Sequence, residues 1–227
     1  MFKKSIFILS IFSSLFLLNT AQAQNSKGET SDPKAKAVLD KVKKLYEGYS
    51  TIESGFTLTI KMAEQPKEEV QKGKFYQEGD KYKAETGKDF ILSDGKVIWQ
   101  KNNNTVYIND ANSKGSGSFL SPKDLIKMYE GKDYIYTISD ETKDGWSTKA
   151  TVITFKPVGR KGDFSQIKVA IDQKSNMVTS MTAFGKDQSR FKIAIDQPLT
   201  NKKYSVGFFA FDKSKYPNIK VEDLRTD

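Results

Sequence analysis

From Gly55 onward the chain repeats one signal: short stretches with an apolar residue at every second position, cut by turn residues. Phe56, Leu58, Ile60 and Met62 alternate with Thr57, Thr59 and Lys61. A period of two puts one set of side chains on one side of an extended strand. Gly73 to Glu85 carries Phe75, Tyr76, Tyr82 and Ala84 around a turn at Glu78-Gly79-Asp80. Phe90-Ile91-Leu92 and Val97-Ile98-Trp99 flank Ser93-Asp94-Gly95-Lys96, and Asp-Gly between apolar runs marks a hairpin. A further strand covers Thr105 to Asn109. Others are expected over 134–139, 149–156, 165–172, 176–184, 189–196 and 205–211, with turns at Asp144-Gly145 and Ser175-Asn176. The clearest alternations there are Ile167-Val169-Ile171 and Phe191-Ile193-Ile195, and Tyr216 to Val221 offers a short edge strand. About eleven strands in sequence fold most simply as an antiparallel meander, and a sheet of that size curls.

Two segments read as helix. Ser31-Asp32-Pro33 supplies a capping residue and a first-turn proline. Val38, Leu39, Val42, Leu45, Tyr46 and Tyr49 follow at helical spacing, so a helix is expected from about 33 to 48, ending near Gly48. A Ser/Gly loop from Asn112 to Ser118 leads to the second, at Leu120-Ser121-Pro122, with Asp124 placed to reach back to the cap and Leu120 and Leu125 spaced as a staple. Leu125, Ile126, Met128 and Tyr129 form its apolar side and Gly131 stops it. Two helices cannot cover both faces of such a sheet. They can cover one concave face or plug an open end. The class is α+β, mainly β.

Composition narrows the chemistry. The 227 residues include no His and no Cys, which excludes thiolate and imidazole metal sites, Cys nucleophiles, a Ser-His-Asp triad and disulfides. Met1–Lys4 is a basic start, Ser5–Leu18 an apolar run, and Ala21-Gln22-Ala23 a small-x-small site. Residues 1–23 are therefore expected to be a secretory signal peptide rather than an anchor, the apolar run being short for a span. Residues 24–32 form a flexible start and 33–227 a single domain. Cleavage removes Lys3 and Lys4 from a net charge of +9, leaving +7. Arginine occurs only at 160, 190 and 225, and lysine is scattered, which argues for a solvated surface and against nucleic acid. Weak attraction to anionic lipid head groups remains compatible with that surface.

The helix before Gly55-Phe56, the Gly73-Lys74-Phe75 strand, Ser93-Asp94-Gly95-Lys96-Val97-Ile98-Trp99, Leu120-Ser121-Pro122, and Tyr216-Pro217-Asn218-Ile219-Lys220-Val221-Glu222-Asp223 keep one order and spacing from about 33 to 225. In these the chain resembles the periplasmic outer-membrane lipoprotein carrier family, LolA-like. The resemblance implies an unclosed β-barrel with a helical lid over an apolar cavity. It implies a monomeric periplasmic carrier or chaperone that needs no cofactor and is no enzyme. Its partners would be acylated lipoproteins, an inner-membrane lipoprotein-releasing transporter that loads it and an outer-membrane acceptor. One departure concerns the latch. The family usually has an Arg after the strand ending at Gln77, and this chain has Glu78-Gly79-Asp80, with only Lys81 and Lys83 nearby. A lysine cannot repeat a guanidinium fork. Another lipid or glycolipid on the same fold is the alternative cargo.

The candidate cavity lining is Phe56, Leu58, Ile60, Phe75, Tyr82, Phe90, Leu92, Trp99, Ile167, Val169, Ile171, Phe191, Ile193 and Ile195. The candidate lid face is Leu45, Tyr49, Leu125, Ile126 and Met128. A filled barrel and ordinary helix packing explain the same residues. Met62, Met128, Met177 and Met181 could give a pliable lining or serve as gap fillers. S-x-x-K recurs at Ser31, Ser93, Ser165 and Ser189, mostly in strands or turns, which marks it as chance. Glu68-Glu69 and Asp140-Glu141 fall in polar stretches and fit solvated loops better than a glycosidase pair, the form an exported enzyme would need here.

Overall fold

The computed structural model describes residues 30–111, 122–139, 149–159 and 163–225. The expected signal peptide, the Asn112–Ser118 loop, the Leu120-Ser121 cap and the Asp144-Gly145 turn lie outside them.

Helix α1 spans Pro33–Glu47. The Asp32 carboxylate caps it by accepting the Lys34 amide at 2.8 Å, and Pro33 sits where a missing N–H costs nothing. Ala35, Leu39, Val42 and Tyr46 form its buried stripe, in steps of four, three and four. After Gly48 the Asn201 side-chain oxygen accepts the Ser50 amide at 3.0 Å, so a residue near the far end of the chain fixes the entry to the first strand.

The strands are β1 (Thr51–Lys61), β2 (Glu69–Glu78), β3 (Lys81–Thr86), β4 (Asp89–Ser93), β5 (Val97–Asn102), β6 (Thr105–Asp110), β7 (Tyr134–Ile138), β8 (Ala150–Pro157), β9 (Phe164–Asp172), β10 (Val178–Gly185), β11 (Arg190–Ile195), β12 (Leu199–Thr200) and β13 (Lys220–Asp223). Helix α2 (Pro122–Glu130) precedes β7. All thirteen strands among the described residues belong to one sheet, ordered β13-β6-β5-β4-β3-β2-β1-β11-β10-β9-β8-β7, with β12 also on β1. Two meanders, β2–β6 and β7–β11, therefore meet at β1, the longest strand at 11 residues. The path is open at both ends, so the curved sheet is an unclosed half-barrel and the helices form a lid on it. Neighbours are antiparallel except β13, which runs parallel to β6.

Two expectations change. Residues 205–211 form no strand: the chain turns at 206–209, Gly207 takes a φ of +82°, and the Phe208 and Ala210 amides bond back to the Ser205 and Gly207 carbonyls. Their aromatic content serves side-chain packing, not a ladder. The edge strand expected from Tyr216 begins only at Lys220, because the Tyr216 and Ile219 amides are used in local turns.

Paired residues in neighbouring strands share a face. Leu58, Ile193, Met181, Val169 and Ile153 are linked in this way across β1, β11, β10, β9 and β8. Both helices pack on that face, over Phe155, Ile153, Ile167 and Ile171, all nearly or fully buried. Each such side chain contributes about 1.5–3 kcal/mol through burial. On the other side of β1, Phe56 pairs with Gly73. A Cβ at Gly73 would stand 2.4 Å from the Phe56 ring, so only glycine lets that ring lie across β2.

Candidate functional site

The helix-bearing face divides into two parts. Under the lid, α1 and α2 sit directly on β7–β10. Leu39, Val42 and Tyr46 of α1 and Leu125 and Tyr129 of α2 join Tyr136, Ile153, Phe155, Ile167, Val169 and Ile171 in one continuous core. Beside the lid, Phe56, Phe75, Ala84 and Ile193 form a second apolar cluster with Leu58, Tyr82 and Ile195 against it. Between the two runs a narrow cleft lined by Tyr46, Ile52, Ser54, Phe56, Phe75, Ile193, Ile195 and Pro198. Its cavity volume is about 30 Å³, room for a water or two. Ligand-sized cavities run from roughly 300 Å³. The wide hollow that the family resemblance implies is thus closed in this arrangement, since apolar side chains that can reach one another pack rather than leave space between them.

The expected lining residues separate accordingly. Ile167, Val169 and Ile171 lie in the filled core, with Phe191 packed at its edge and Ile195 touching both clusters. Phe56, Leu58, Phe75, Tyr82 and Ile193 form the cluster beside the lid, and Ile60 is buried further along β1 on the same face. Phe90, Leu92 and Trp99 do not join them. Phe90 pairs with Glu85, and Leu92 with both Lys83 and Trp99, which places all three on the opposite, outer face. There they pack with Val106 beneath Tyr204, Phe208, Phe209, Phe211, Tyr216 and Ile219 of the C-terminal segment. Alternation gives the period but not the side, and the register across β3–β4 sets the side.

Of the expected lid residues, Leu125 is buried in the core and Tyr49, Ile126 and Met128 pack against it, while Leu45 is half-buried. The residues missing from that set are Leu39, Val42 and Tyr46. Their steps from Ala35 were readable in the sequence, but one residue, or 100° of helix, separates Leu45 from Tyr46.

Polar contacts tie the lid down. The Tyr46 hydroxyl accepts the Val178 amide at 3.2 Å, in a buried setting that pushes its pKa up to about 12. The Asp32 amide donates to the Tyr136 carbonyl at 2.8 Å. Lys43 of α1 is paired with Glu130 of α2, which joins the two helices. At the hairpin where the family places its arginine, Glu78 stands 4.0 Å from Lys81. Among the described residues no group of three or more carboxylates could hold a metal ion, and no helix is long and apolar enough to cross a membrane.

No protein-family model matches the chain, and neither does any curated protein. Solved structures do. An uncharacterized conserved protein from Thermus thermophilus aligns with a TM-score of 0.54 at 11% identity, over 84% of this chain and 99% of that one. A LolA superfamily protein, NE2245 from Nitrosomonas europaea, aligns at 0.42 and 9% identity, over 78% and 97%. A putative outer membrane lipoprotein-sorting protein domain from Vibrio parahaemolyticus aligns at 0.44 and 12% identity, over 77% and 95%. The likeness to the Thermus protein is one of fold.

Proposed function

We propose that the protein is an exported carrier that binds acyl chains, in the first place those of lipoproteins, against the helix-bearing face of its half-barrel. It ferries them across the periplasm from inner to outer membrane and performs no covalent chemistry. The observation that carries this reading is the apolar cluster of Phe56, Leu58, Phe75 and Ile193 beside the lid, buried apart from the half-buried Leu58, with the narrow cleft at Tyr46 between it and the lid core. An acyl chain enters at that cleft by displacing the helices. The magnitudes allow it. The lid is tied to the sheet by neutral hydrogen bonds such as Tyr46 to Val178, each worth about 0.5–1.5 kcal/mol. Each methylene taken out of water returns about 0.8 kcal/mol. A few methylenes therefore offset each tie, and the chain takes over the apolar contacts that the helices give up. The Lys43–Glu130 pair lets α1 and α2 move together.

The test is a triacylated lipoprotein offered to the purified protein in detergent-free buffer. A soluble one-to-one complex is expected. No complex, where a known carrier forms one, rejects the lipoprotein reading. The second reading, an exported binder of another lipid or glycolipid, is favoured by the sequence Glu78-Gly79-Asp80 in place of the family's arginine. Lipid extraction and mass spectrometry of the protein isolated from its own cells separates the two. A loading transporter in the inner membrane and an acceptor in the outer membrane belong to the first reading.

A further inference from the structure

The outer face of the sheet lies opposite the helix-bearing face, and its cover has a chemistry of its own. The segment from 201 to 219 lies over β2–β6 as an irregular strap. Phe208 packs edge-on against Tyr76 of β2 at 5.2 Å and Tyr216 lies tilted against Phe90 of β4 at 5.6 Å, which holds the strap to the sheet. Val206 points the other way, fully exposed at the tip of the turn beside Gly207. A single exposed valine is ordinary; its surroundings are not. Between residues 199 and 221 the chain has five lysines, at 202, 203, 213, 215 and 220, and one acid, Asp212. All five lysines are exposed. Lys202 pairs with Glu53 and Lys215 with Asp212, while Lys203 and Lys213 make no ion pair among the described residues. Beside Val206 opens a dimple of about 190 Å³, larger than the cleft beside the lid, with Lys83, Lys215 and Asp212 on its wall and Phe90, Phe211 and Tyr216 among its aromatic residues; Lys83 also pairs with Glu85 at 2.6 Å.

We propose that this strap docks the protein onto an anionic phospholipid bilayer. Val206 enters the interface, Lys203, Lys213 and Lys215 face the head groups, and the dimple beside Lys83 receives a lipid phosphate. Charge complementarity selects this occupant. A negatively charged leaflet attracts lysines near its surface by roughly fivefold in affinity apiece, and the attraction is screened by salt. An exposed apolar tip on a firmly held turn adds a part that salt does not remove. Docking through the outer face leaves the helix-bearing face free, so the proposal stands whether or not the cavity carries acyl chains.

Sedimentation of the purified exported protein with vesicles tests it. The protein should bind vesicles of phosphatidylcholine mixed with phosphatidylglycerol, bind far less to phosphatidylcholine alone, and lose binding as salt rises. The double variant Lys203→Glu, Lys213→Glu should lose at least about tenfold in affinity. Val206→Ser should lose roughly three- to tenfold. Both variants should keep the wild-type circular dichroism spectrum and unchanged binding of a fluorescent fatty-acyl probe, which separates docking from folding and from cargo binding. Equal binding to both vesicle types, binding to neither, or unchanged binding by both variants overturns the proposal. Saturable binding of glycerol phosphate with no binding to vesicles also overturns it, and makes the dimple a site for small anions.

Discussion

The two covers of this sheet are built on different principles. On one face, two helices lay a regular stripe over β7–β10, and Phe155, Ile153 and Ile167 beneath them lose all contact with water. On the other, an irregular strap covers β2–β6, and much of its cluster, including Trp99, Tyr204, Phe208 and Phe211, is only partly buried. A helix satisfies most of its own backbone, so leaving the sheet would give up few backbone bonds, chiefly the Val178 amide on the Tyr46 hydroxyl and the Asp32 amide on the Tyr136 carbonyl. The strap cannot do so as readily: it ends in β13, whose ladder on β6 starts with the Lys220 amide on the Asn104 carbonyl. The better-packed cover therefore has few backbone bonds to the sheet, while the looser one is sewn in place by a ladder. Tightness of packing and freedom to move are set by different interactions.

This contrast can be broken by measurement. Phe155→Ala removes a fully buried ring from the lid core and should cost about 5 kcal/mol in urea unfolding. Phe209→Ala, in a cover able to settle around the gap, should cost about 3 kcal/mol. The reverse order would make the strap the stability-limiting cover. Alkaline titration comes next. Tyr46 has a pKa of about 12 in the folded chain, against 10.0 for a free phenol. Its contribution is complete below pH 10 and is lost as pH climbs toward 12, because the unfolded chain gives up that proton first. The expected loss is on the order of 2–3 kcal/mol, followed by chemical denaturation at stepped pH. Tyr46→Phe strands the Val178 amide and should cost about 1–2 kcal/mol. It should also remove the Tyr46 part of the alkaline loss, leaving the parts from Tyr129 and Tyr204, whose hydroxyls burial also pushes up to about 12, and speed amide exchange at Val178 while leaving strap amides unchanged. If strap amides accelerate equally, the covers are one cooperative unit. Lys202→Ala, which breaks an exposed pair with Glu53, should cost under about 0.5 kcal/mol. A larger loss would mean that the strap is held by charge as well as by aromatic contact.

How much of this was legible follows from the same contrast. Local chemistry was plain to read. Asp32 and Pro33 announce α1, and the Asp94 carboxylate accepts the Lys96 and Val97 amides, both at 2.8 Å, in the hairpin that Asp-Gly signals. The helix-bearing face was readable where alternation is clean, at Ile167-Val169-Ile171. Phe90, Leu92 and Trp99 were assigned to the wrong side because a period of two fixes no direction. A usable signal was present: Phe90-Ile91-Leu92 and Val97-Ile98-Trp99 are unbroken apolar runs, and such runs belong to strands covered on both faces. Within the strap, 205–211 suggests a strand only by its apolar content, since Phe208, Phe209 and Phe211 keep no period of two. Only their partners on the sheet, far back in the sequence, give them their place.

The central position of β1 has a consequence for how the molecule comes into being. One edge of that strand finds its partner at once, in the hairpin with β2, but the other waits for β11, where Phe56 meets Ile195. The Asn201 clasp on Ser50 comes from the same late stretch. A chain emerging from its amino end thus carries an unfilled seam until nearly all of it has been made, and pairing across so long an interval is slow and exposes strand edges. The seam can close only once β11 is present, so truncation before residue 190 should leave β1 with that edge unpaired and the two meanders unjoined.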